Sequence, residues 1–252
     1  MRLATFNILH GRSPADDRVD VDRFAAAVRS LGADVLALQE VDRNQARSAN
    51  ADLTSVAAQV MGAAEHRFVA ALAGSPGATW MAATGDEQPD SAGYGIALVS
   101  RVPVLSWEVV RLGSPPTRVP MWFRGSRVPE LVRDEPRVAV AARVETPRGQ
   151  LTVVNTHLSF VGWWGRRQLG TVMRSVEGME PLVLVGDLNM GLARAEAVTG
   201  MRPLVREVTF PAHDPTEQLD HVLARGDVGE LRDVSVRSMS LSDHCAVTVD
   251  LG

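Results

Sequence analysis

The chain has 252 residues, of which 45% are hydrophobic and 22% charged, a composition typical of an ordinary globular protein. No run approaches the roughly 18 consecutive apolar residues that a membrane span needs, and the single cysteine, Cys245, excludes an internal disulfide or a cysteine-based zinc site. The formal net charge is −4 and lysine does not occur, which argues against avid non-specific binding to nucleic acid without excluding a nuclease. We expect a cytoplasmic protein, because no secretory signal precedes the first strand-like run.

The N-terminal half of the sequence predicts strands separated by two helices. RLATFNIL, at residues 2–9, has the pattern of a strand, and an amphipathic helix is predicted over 21–31 with Gly32 as its stop. ADVLALQEV predicts the next strand, and a second helix is expected over about 52–61. Residues 66–83 and 94–110 predict successive strands broken by turns at 74–77 and 102–103.

The C-terminal half begins with the least regular stretch, residues 113–136, which is rich in proline and arginine. RVAVAARVE and LTVVNTHLS then predict a hairpin that turns at 147–149. A helix at about 165–177, the strand PLVLVGDLN, a short helix near 191–199 and three more strands complete the pattern. With no linker or repeat, we expect one domain over 1–252 of the α/β class: a four-layer sandwich of two packed mixed β-sheets flanked by helices.

Polar residues suited to metal and phosphate chemistry follow the hydrophobic runs along the whole chain. They are Asn7 after RLATF, Glu40 after DVLALQ, His157 in NTHL, Asp187 and Asn189 in GDLN, Asp220 in LDH, and Asp243 and His244 in SDH. Hard divalent cations prefer oxygen ligands, and histidine moves protons near neutral pH. Taken singly, each motif has a structural explanation, because asparagine often caps a turn and a glutamate often ends a strand in solvent.

The order of these motifs resembles that of the endonuclease/exonuclease/phosphatase superfamily, from residue 3 to residue 250. The resemblance implies a divalent-metal-dependent phosphoesterase that uses Mg²⁺ or Mn²⁺. It implies that Asn7, Glu40 and Asp243 form the metal site, with Glu40 as the principal ligand.

The resemblance also implies catalytic roles for His157, Asp187, Asn189, Asp220 and His244. Asp187 and Asn189 would hold the attacking water and a phosphate oxygen, and His157 would contact the phosphate and help to protonate the leaving oxygen. Asp220 would hold the ring of His244. Which histidine acts as acid and which as base stays open.

The substrate is less determined by the sequence. Arg137 is a candidate phosphate contact or a surface charge at a strand start, and Trp163 and Trp164 are candidate substrate contacts. With Trp122 and Phe123, these tryptophans could stack on bases, enter a lipid interface or cap the sheet edge. Tyr94 is left out of the catalytic set, because it is offset by one residue from the active-site tyrosine of the apurinic endonucleases.

Three functions are compatible with the sequence. A small-molecule or phospholipid phosphoester is slightly favoured as the substrate, because it needs no extended basic groove. The alternatives are an endonuclease or exonuclease acting on DNA or RNA and, more remotely, a non-catalytic phosphate-binding module. No stable membrane span and no protein partner is indicated by the sequence.

Overall fold

Two β-sheets face each other across a hydrophobic core, and the computed structural model describes residues 1–121 and 128–252 of this arrangement. In chain order the strands are β1 Arg2–Asn7, β2 Arg12–Ser13, β3 Arg18–Val19, β4 Val35–Arg43, β5 Glu65–Gly74, β6 Trp80–Ala82, β7 Gly93–Ser100, β8 Val104–Leu112, β9 Val119–Met121, β10 Glu130–Val132, β11 Arg137–Thr146, β12 Gly149–His157, β13 Leu182–Asp187, β14 Arg202–Pro203, β15 Asp220–Arg225, β16 Leu231–Arg237 and β17 Ala246–Leu251. The α-helices are α1 Val21–Leu31, α2 Leu53–Met61, α3 Gly162–Ser175 and α4 Leu192–Thr199, and two short 3-10 turns lie at Leu9–Gly11 and Ala46–Ser48.

The two large sheets are both mixed. The first has seven strands in the order β16-β17-β1-β4-β7-β5-β6, and the second has six in the order β14-β15-β13-β12-β11-β8. Within them, β1 pairs with β4 and β12 pairs with β13 in parallel, while the other pairs are antiparallel. Helices α1 and α2 cover the outer face of the first sheet, and α3 and α4 cover that of the second. The predicted four-layer α/β sandwich is therefore confirmed.

The core between the sheets consists largely of β-branched and aliphatic side chains. Leu3, Val35, Val153 and Val183 contribute to it from four different strands. Successive side chains of a strand point to opposite faces, so alternate residues of each strand enter this space. Full burial of one such side chain contributes about 1.5–3 kcal/mol, and this core holds the two sheets together.

The helix boundaries follow local sequence signals at most ends. Asp20 and Asp52 cap α1 and α2 by accepting from the backbone N–H of Arg23 and Ser55, and Gly32 ends α1 in the left-handed conformation. The predicted helices 21–31 and 52–61 are confirmed, and the short helix near 191–199 begins at Leu192. Helix α3 begins three residues before the predicted 165, because the chain turns into the helix at Gly162 without a side-chain cap.

The irregular stretch after Gly113 contains a two-stranded ribbon formed by β9 and β10. Trp122 and Phe123, which the sequence analysis singles out, lie outside the described residues. In the part of the chain that the structure describes, no helix combines the length and the apolar character that crossing a membrane would require.

Candidate active site

The candidate site lies at one end of the space between the two sheets. Strands β1, β12 and β13 end there at Asn7, His157 and Asp187, and β15 begins there at Asp220, which pairs with Asp187. Hydrogen bonds and a shared cavity bring together the eight residues that the resemblance assigns to catalysis or metal binding: Asn7, Glu40, His157, Asp187, Asn189, Asp220, Asp243 and His244.

Asn7 links the two sheets at the floor of the site. Its Nδ2 donates to Glu40 Oε1 at 3.1 Å and to Asp187 Oδ2 at 3.0 Å, and its Oδ1 accepts from the backbone N–H of Leu9 at 3.1 Å. Because the asparagine is completely buried, all of these polar groups need protein partners. The amide therefore fixes the separation of two carboxylates that come from different sheets.

The GDLN segment places Asp187 and Asn189 in a tight turn at the end of β13. Asn189 adopts a positive φ of 50°, and its backbone N–H donates to Asp187 Oδ1 at 3.0 Å. Gly186 has a φ of 133°, and a Cβ there would lie 2.0 Å from the carbonyl oxygen of Thr156. Only glycine fits this close approach of β12 and β13, which explains why the motif begins with that residue.

His157 is surrounded by hydrogen-bond donors. Arg137 Nη1 lies 3.2 Å from His157 Nδ1, and Asn189 Nδ2 lies 3.1 Å from His157 Nε2. Burial, followed by the positive charges of Arg137 and His244, holds the pKa of His157 well below its ordinary value. The imidazole is therefore neutral at neutral pH, and Arg137 carries the positive charge beside it.

Arg137 is held by a buried acid from the preceding loop. Its Nη2 donates to Asp134 Oδ1 at 2.9 Å, and Ser159 Oγ donates to the other oxygen of Asp134. Arg137 and Asp134 are only 7% and 3% exposed. The pair fixes the guanidinium beside His157 and anchors the loop before β11 to the site.

His244 forms an ion pair with Asp220 on the opposite side of Asp187. Its Nδ1 lies 2.9 Å from Asp220 Oδ2, and its Nε2 lies 3.8 Å from Asp187 Oδ2. Burial alone lowers the pKa of His244, but the hydrogen bond and charge of Asp220, with the charges of Asp187 and Asp243, raise it to about 10. His244 is thus the protonated histidine of the site.

Ser242 connects the SDH segment to the end of β1. Its Oγ donates to the carbonyl oxygen of Asn7 at 2.6 Å and accepts from the backbone N–H of His244 at 3.0 Å. Its positive φ of 69° turns the chain so that His244 and Asp243 precede β17 at the edge of the site.

Two carboxyl groups are poorly stabilised as anions. Burial and the nearby charge of Asp220 raise the pKa of Asp187 to about 7. Burial also raises the pKa of Glu40, although the hydrogen bond from Asn7 and the charge of Arg137 act in the opposite direction. Both groups would gain from additional positive charge in the site.

A cavity of about 670 Å³ opens onto these groups. Its walls include Glu40, His157, Asp187, Asn189, Asp243 and His244, together with Tyr94, Val132, Arg133, Asp134, Glu135, Arg137, Phe160, Phe210 and Leu219. Phe210 also packs against the ring of His244, with 4.8 Å between ring centroids. The reactive groups therefore lie at the base of a pocket that has a partly apolar wall.

Comparison with known proteins identifies the family. The sequence model of the endonuclease/exonuclease/phosphatase family matches residues 4–244. The chain belongs to this family. No curated protein sequence matches the chain significantly.

Solved structures agree with the family in fold. The endonuclease/exonuclease/phosphatase of Beutenbergia cavernae has a TM-score of 0.69 at 22% identity, over 99% of this chain and 70% of that one. The mannosyl-6-phosphatase Bt3783 of Bacteroides thetaiotaomicron has 0.66 at 14% identity, over 100% and 99%. A mutant beta toxin of Staphylococcus aureus with bound magnesium ions has 0.63 at 12% identity, over 100% and 99%.

Members of the endonuclease/exonuclease/phosphatase family are metal-dependent hydrolases of phosphoester bonds, and this chain is one of them. Its carboxylates suit a divalent cation. Among the described residues, Asp243 Oδ1 is buried without any hydrogen-bond partner, and Glu40 accepts only from the Asn7 amide. A buried carboxylate oxygen without a donor is costly unless a cation or water satisfies it. Glu40 and Asp243 therefore fit a hard cation.

A second group of ligand atoms occurs beside this pair. Donor atoms of Asp187, Asp220 and His244 lie within 4.8 Å of one another, which is close enough for a common ion. However, His244 Nδ1 already makes its 2.9 Å hydrogen bond with Asp220. A protonated histidine between two carboxylates satisfies the same charges, so this group forms an acid–base cluster without requiring a metal.

The structure adds residues that sequence reasoning missed. Asp134 lies in the irregular stretch, where only its position three residues before Arg137 hinted at a salt bridge. Tyr94, which the sequence analysis leaves out of the catalytic set, lines the cavity, and so does Phe160.

The two tryptophans proposed as substrate contacts are not among the cavity-lining residues. Trp163 is 55% exposed on α3, and Trp164 Nε1 donates to the carbonyl oxygen of Gly113 at 2.7 Å. Their rings pack edge to face, with 5.2 Å between centroids. A role in substrate binding for this pair stays a prediction.

One further histidine and the cysteine near the motifs are buried outside the cavity wall. His221 is fully buried, and its Nε2 lies 2.8 Å from the carbonyl oxygen of Met190. Cys245 is buried, as expected for a small hydrophobic side chain.

Proposed function

We propose that residues 1–252 form one catalytic domain that hydrolyses the phosphoester of a small polar molecule or lipid head group with Mg²⁺ or Mn²⁺. The observation that carries the substrate class is the shape of the site. The cavity of about 670 Å³ is within the range of small-molecule pockets, and Val132–Glu135 forms part of its wall.

Charge supports the same class of substrate. Asp134 and Glu135 line the cavity wall, and the net charge of the chain is −4. Because Asp134 is already paired with Arg137, Glu135 is the carboxylate of this wall that a long polyanion would meet, whereas one phosphate group would meet Arg137 at the base. The sugar phosphatase among the structural neighbours gives a precedent within this fold for a compact substrate.

Glu40 and Asp243 would hold the cation, with Asn7 orienting Glu40 through its 3.1 Å hydrogen bond. When bound, the cation would neutralise charge on the non-bridging phosphate oxygens and so ease attack on phosphorus. The neighbour with bound magnesium ions supports Mg²⁺ as the first choice. Oxygen donors of this kind also accept Mn²⁺.

Residues of this chain would accept the proton of the attacking water and donate a proton to the leaving oxygen. Asp187, with its pKa raised to about 7, would take a proton from the attacking water while Asn189 orients a phosphate oxygen. Water would attack phosphorus as the bond to the leaving oxygen breaks. His244, kept protonated by Asp220, would donate from Nε2. The neutral His157 and Arg137 would bind the phosphate from the opposite side.

A substrate panel tests this proposal. Rates would be measured for p-nitrophenyl phosphate, bis(p-nitrophenyl) phosphate, inositol phosphates, sphingomyelin vesicles, plasmid DNA and single-stranded DNA, each with Mg²⁺, Mn²⁺ or EDTA. We expect kcat/KM to be highest for a small ester or a head group and to vanish in EDTA. Glu40→Ala and His157→Ala should each lower kcat by orders of magnitude while the thermal unfolding remains cooperative.

Two results would contradict the proposal in different ways. If plasmid or single-stranded DNA had the highest kcat/KM, the nuclease alternative would replace the small-substrate assignment. If no substrate were hydrolysed with either metal, the assigned residues would have no catalytic role, and the phosphate-binding alternative would be favoured.

A further inference from the structure

Glu40 occupies an irregular position in its strand. The pairing of β4 with β7 is regular up to Leu38, opposite Ala97, and resumes at Val41, opposite Gly95. Gln39 and Glu40 therefore both face one residue of β7, which defines a β-bulge. Glu40 adopts a φ of 55° there, a left-handed conformation that a glutamate rarely adopts.

The bulge determines where the Glu40 carboxylate points. In an unbroken strand, the residue after the inward-facing Gln39 would point to the helix-covered face of the sheet. With the bulge, Glu40 instead lines the cavity between the sheets. The position of this carboxylate therefore depends on whatever keeps the bulge in place.

Asn155 of the opposite sheet contacts the bulge directly. Its Nδ2 donates to the carbonyl oxygen of Leu38 at 3.0 Å and to that of Ala97 at 2.8 Å. These two residues form the last regular pair before the bulge. Gln39 Nε2 donates to Asn155 Oδ1 at 2.7 Å, so one amide contacts both strands and the first residue of the bulge.

The amide is costly where it lies. Asn155 and Gln39 are completely buried, and Val153, two residues earlier on the same face of β12, is part of the hydrophobic core. An apolar side chain of similar size would fill the same space without the desolvation cost of an amide. Asn155 also precedes His157 by two residues on β12, so the two side chains lie on the same face of that strand.

We propose that Asn155 is a positioning residue for the cation site, because it braces the β4 bulge so that Glu40 faces the cavity. This inference rests on the proposed function, in which Glu40 is a cation ligand. Partners that orient metal ligands commonly alter metal affinity by about 10- to 100-fold when they are removed.

The test compares Mn²⁺ binding, measured by electron paramagnetic resonance of free Mn²⁺, in four variants. Asn155→Leu keeps the volume and removes the donors, whereas Val153→Ala is a control on the same strand and face that lowers stability without touching the bulge. We expect Asn155→Leu to raise the dissociation constant for Mn²⁺ about tenfold and Val153→Ala to change it less than twofold. Glu40→Gln and the double variant with Asn155→Leu complete the set.

The double variant distinguishes a role of Asn155 in positioning Glu40 from a general structural role. If Asn155 acts through Glu40, Asn155→Leu should add less than twofold to the effect of Glu40→Gln, because coupled residues are not additive. Full additivity of the two effects, or a normal dissociation constant for Mn²⁺ in Asn155→Leu, would show that Asn155 does not position Glu40. A normal dissociation constant in Glu40→Gln would instead remove Glu40 from the proposed cation site.

Asn155→Ser covers the case in which Asn155→Leu does not fold. The serine hydroxyl can donate to only one of the two carbonyl oxygens, so we expect an intermediate rise in the dissociation constant. Circular dichroism and thermal unfolding would establish that the serine variant is folded. A normal Mn²⁺ affinity in that folded variant would also show that Asn155 does not position Glu40.

Discussion

The two ends of the space between the sheets have opposite chemistry, although the same strands supply both. At one end the inward-facing residues are apolar, such as Leu3, Val153 and Val183. At the other end, on the same faces of the same strands, they are Asn7, His157 and Asp187. Because alternate residues share a face, each strand changes from core to active site within four residues.

A layer of hydrogen-bonded polar side chains separates the two ends. Thr5, Gln39 and Asn155 are completely buried, and Gln39 Nε2 donates both to the hydroxyl of Thr5 in the same sheet and to Asn155 Oδ1 in the opposite sheet. Their groups are paired, whereas Asp220 Oδ1 and Asp243 Oδ1 in the next layer have no partner among the described residues. The apolar end therefore stabilises the fold, whereas the polar end places charged groups at a cost in stability.

The largest expected effect comes from one substitution at each end of β13. Burial raises the pKa of Asp187 to about 7, so above that pH the folded state holds a charge that the unfolded state accommodates better. We expect Asp187→Asn to raise the melting temperature of the metal-free protein at pH 8 and to lower kcat by about 10³-fold. Val183→Ala should instead lower the melting temperature, with a loss of about 2 kcal/mol in the free energy of unfolding, and should leave kcat normal.

Differential scanning calorimetry in EDTA and steady-state rates in Mg²⁺ measure the two quantities. A lower melting temperature in Asp187→Asn would show that this carboxylate stabilises the fold. The two ends of the strand would then not differ in the way that the burial and charge pattern indicates.

The division between the two ends could be read from the sequence, because strand ends are local features. A hydrophobic run followed by Asn7, His157 or Asp187 predicts a polar residue at a sheet edge, and adjacent strands bring such edges together. The fold class followed from the same alternation of strands and helices. The family resemblance carried by these motifs then implied that the polar strand ends meet in one site.

Features that depend on tertiary contacts could not be predicted in this way. The bulge at Glu40 arises from its pairing with β7 and from Asn155 across the core. The place of Asp134 depends on Arg137 and Ser159, and nothing in a proline-rich loop fixes such contacts from sequence alone. Motif spacing alone leaves Tyr94 out of the catalytic set, although it lines the cavity, because spacing does not resolve a shift of one residue.

The second effect concerns the ion pair of His244 with Asp220. In the metal-free protein the folded state keeps a proton on His244 up to about pH 10, whereas an unfolded histidine loses it near pH 6.5. The folded state therefore binds more protons in this window, so the free energy of unfolding falls as the pH rises. Between pH 7 and 8.5 we expect a loss of about 2 kcal/mol in the wild type.

Asp220→Asn should remove most of this pH dependence, because it removes the charge that holds the proton. Urea unfolding in EDTA at pH 7 and pH 8.5 measures it in both proteins. Asp187, whose pKa is raised to about 7, and the Cys245 thiol also titrate in or near this window, but both are present in the wild type and in the variant, so the difference between the two proteins reports on His244. The control is Asp227→Asn, at an exposed carboxylate two residues beyond the other end of β15. An equal loss in the wild type and in Asp220→Asn would mean that His244 does not carry the proton.

The smallest effect compares two aromatic residues that follow His157. Phe160 lines the cavity, whereas Trp163 is 55% exposed and absent from the cavity wall. Loss of an aromatic contact from a small-molecule pocket costs about 1 kcal/mol, which corresponds to a fivefold rise in KM. We expect Phe160→Ala to raise KM for the best small substrate by about this factor and Trp163→Ala to change it less than twofold, with kcat nearly constant in both. A larger rise in KM for Trp163→Ala than for Phe160→Ala would mean that the substrate extends out of the pocket onto α3, as the sequence-based assignment of Trp163 and Trp164 predicts. The cavity wall would then not be the surface that selects the substrate.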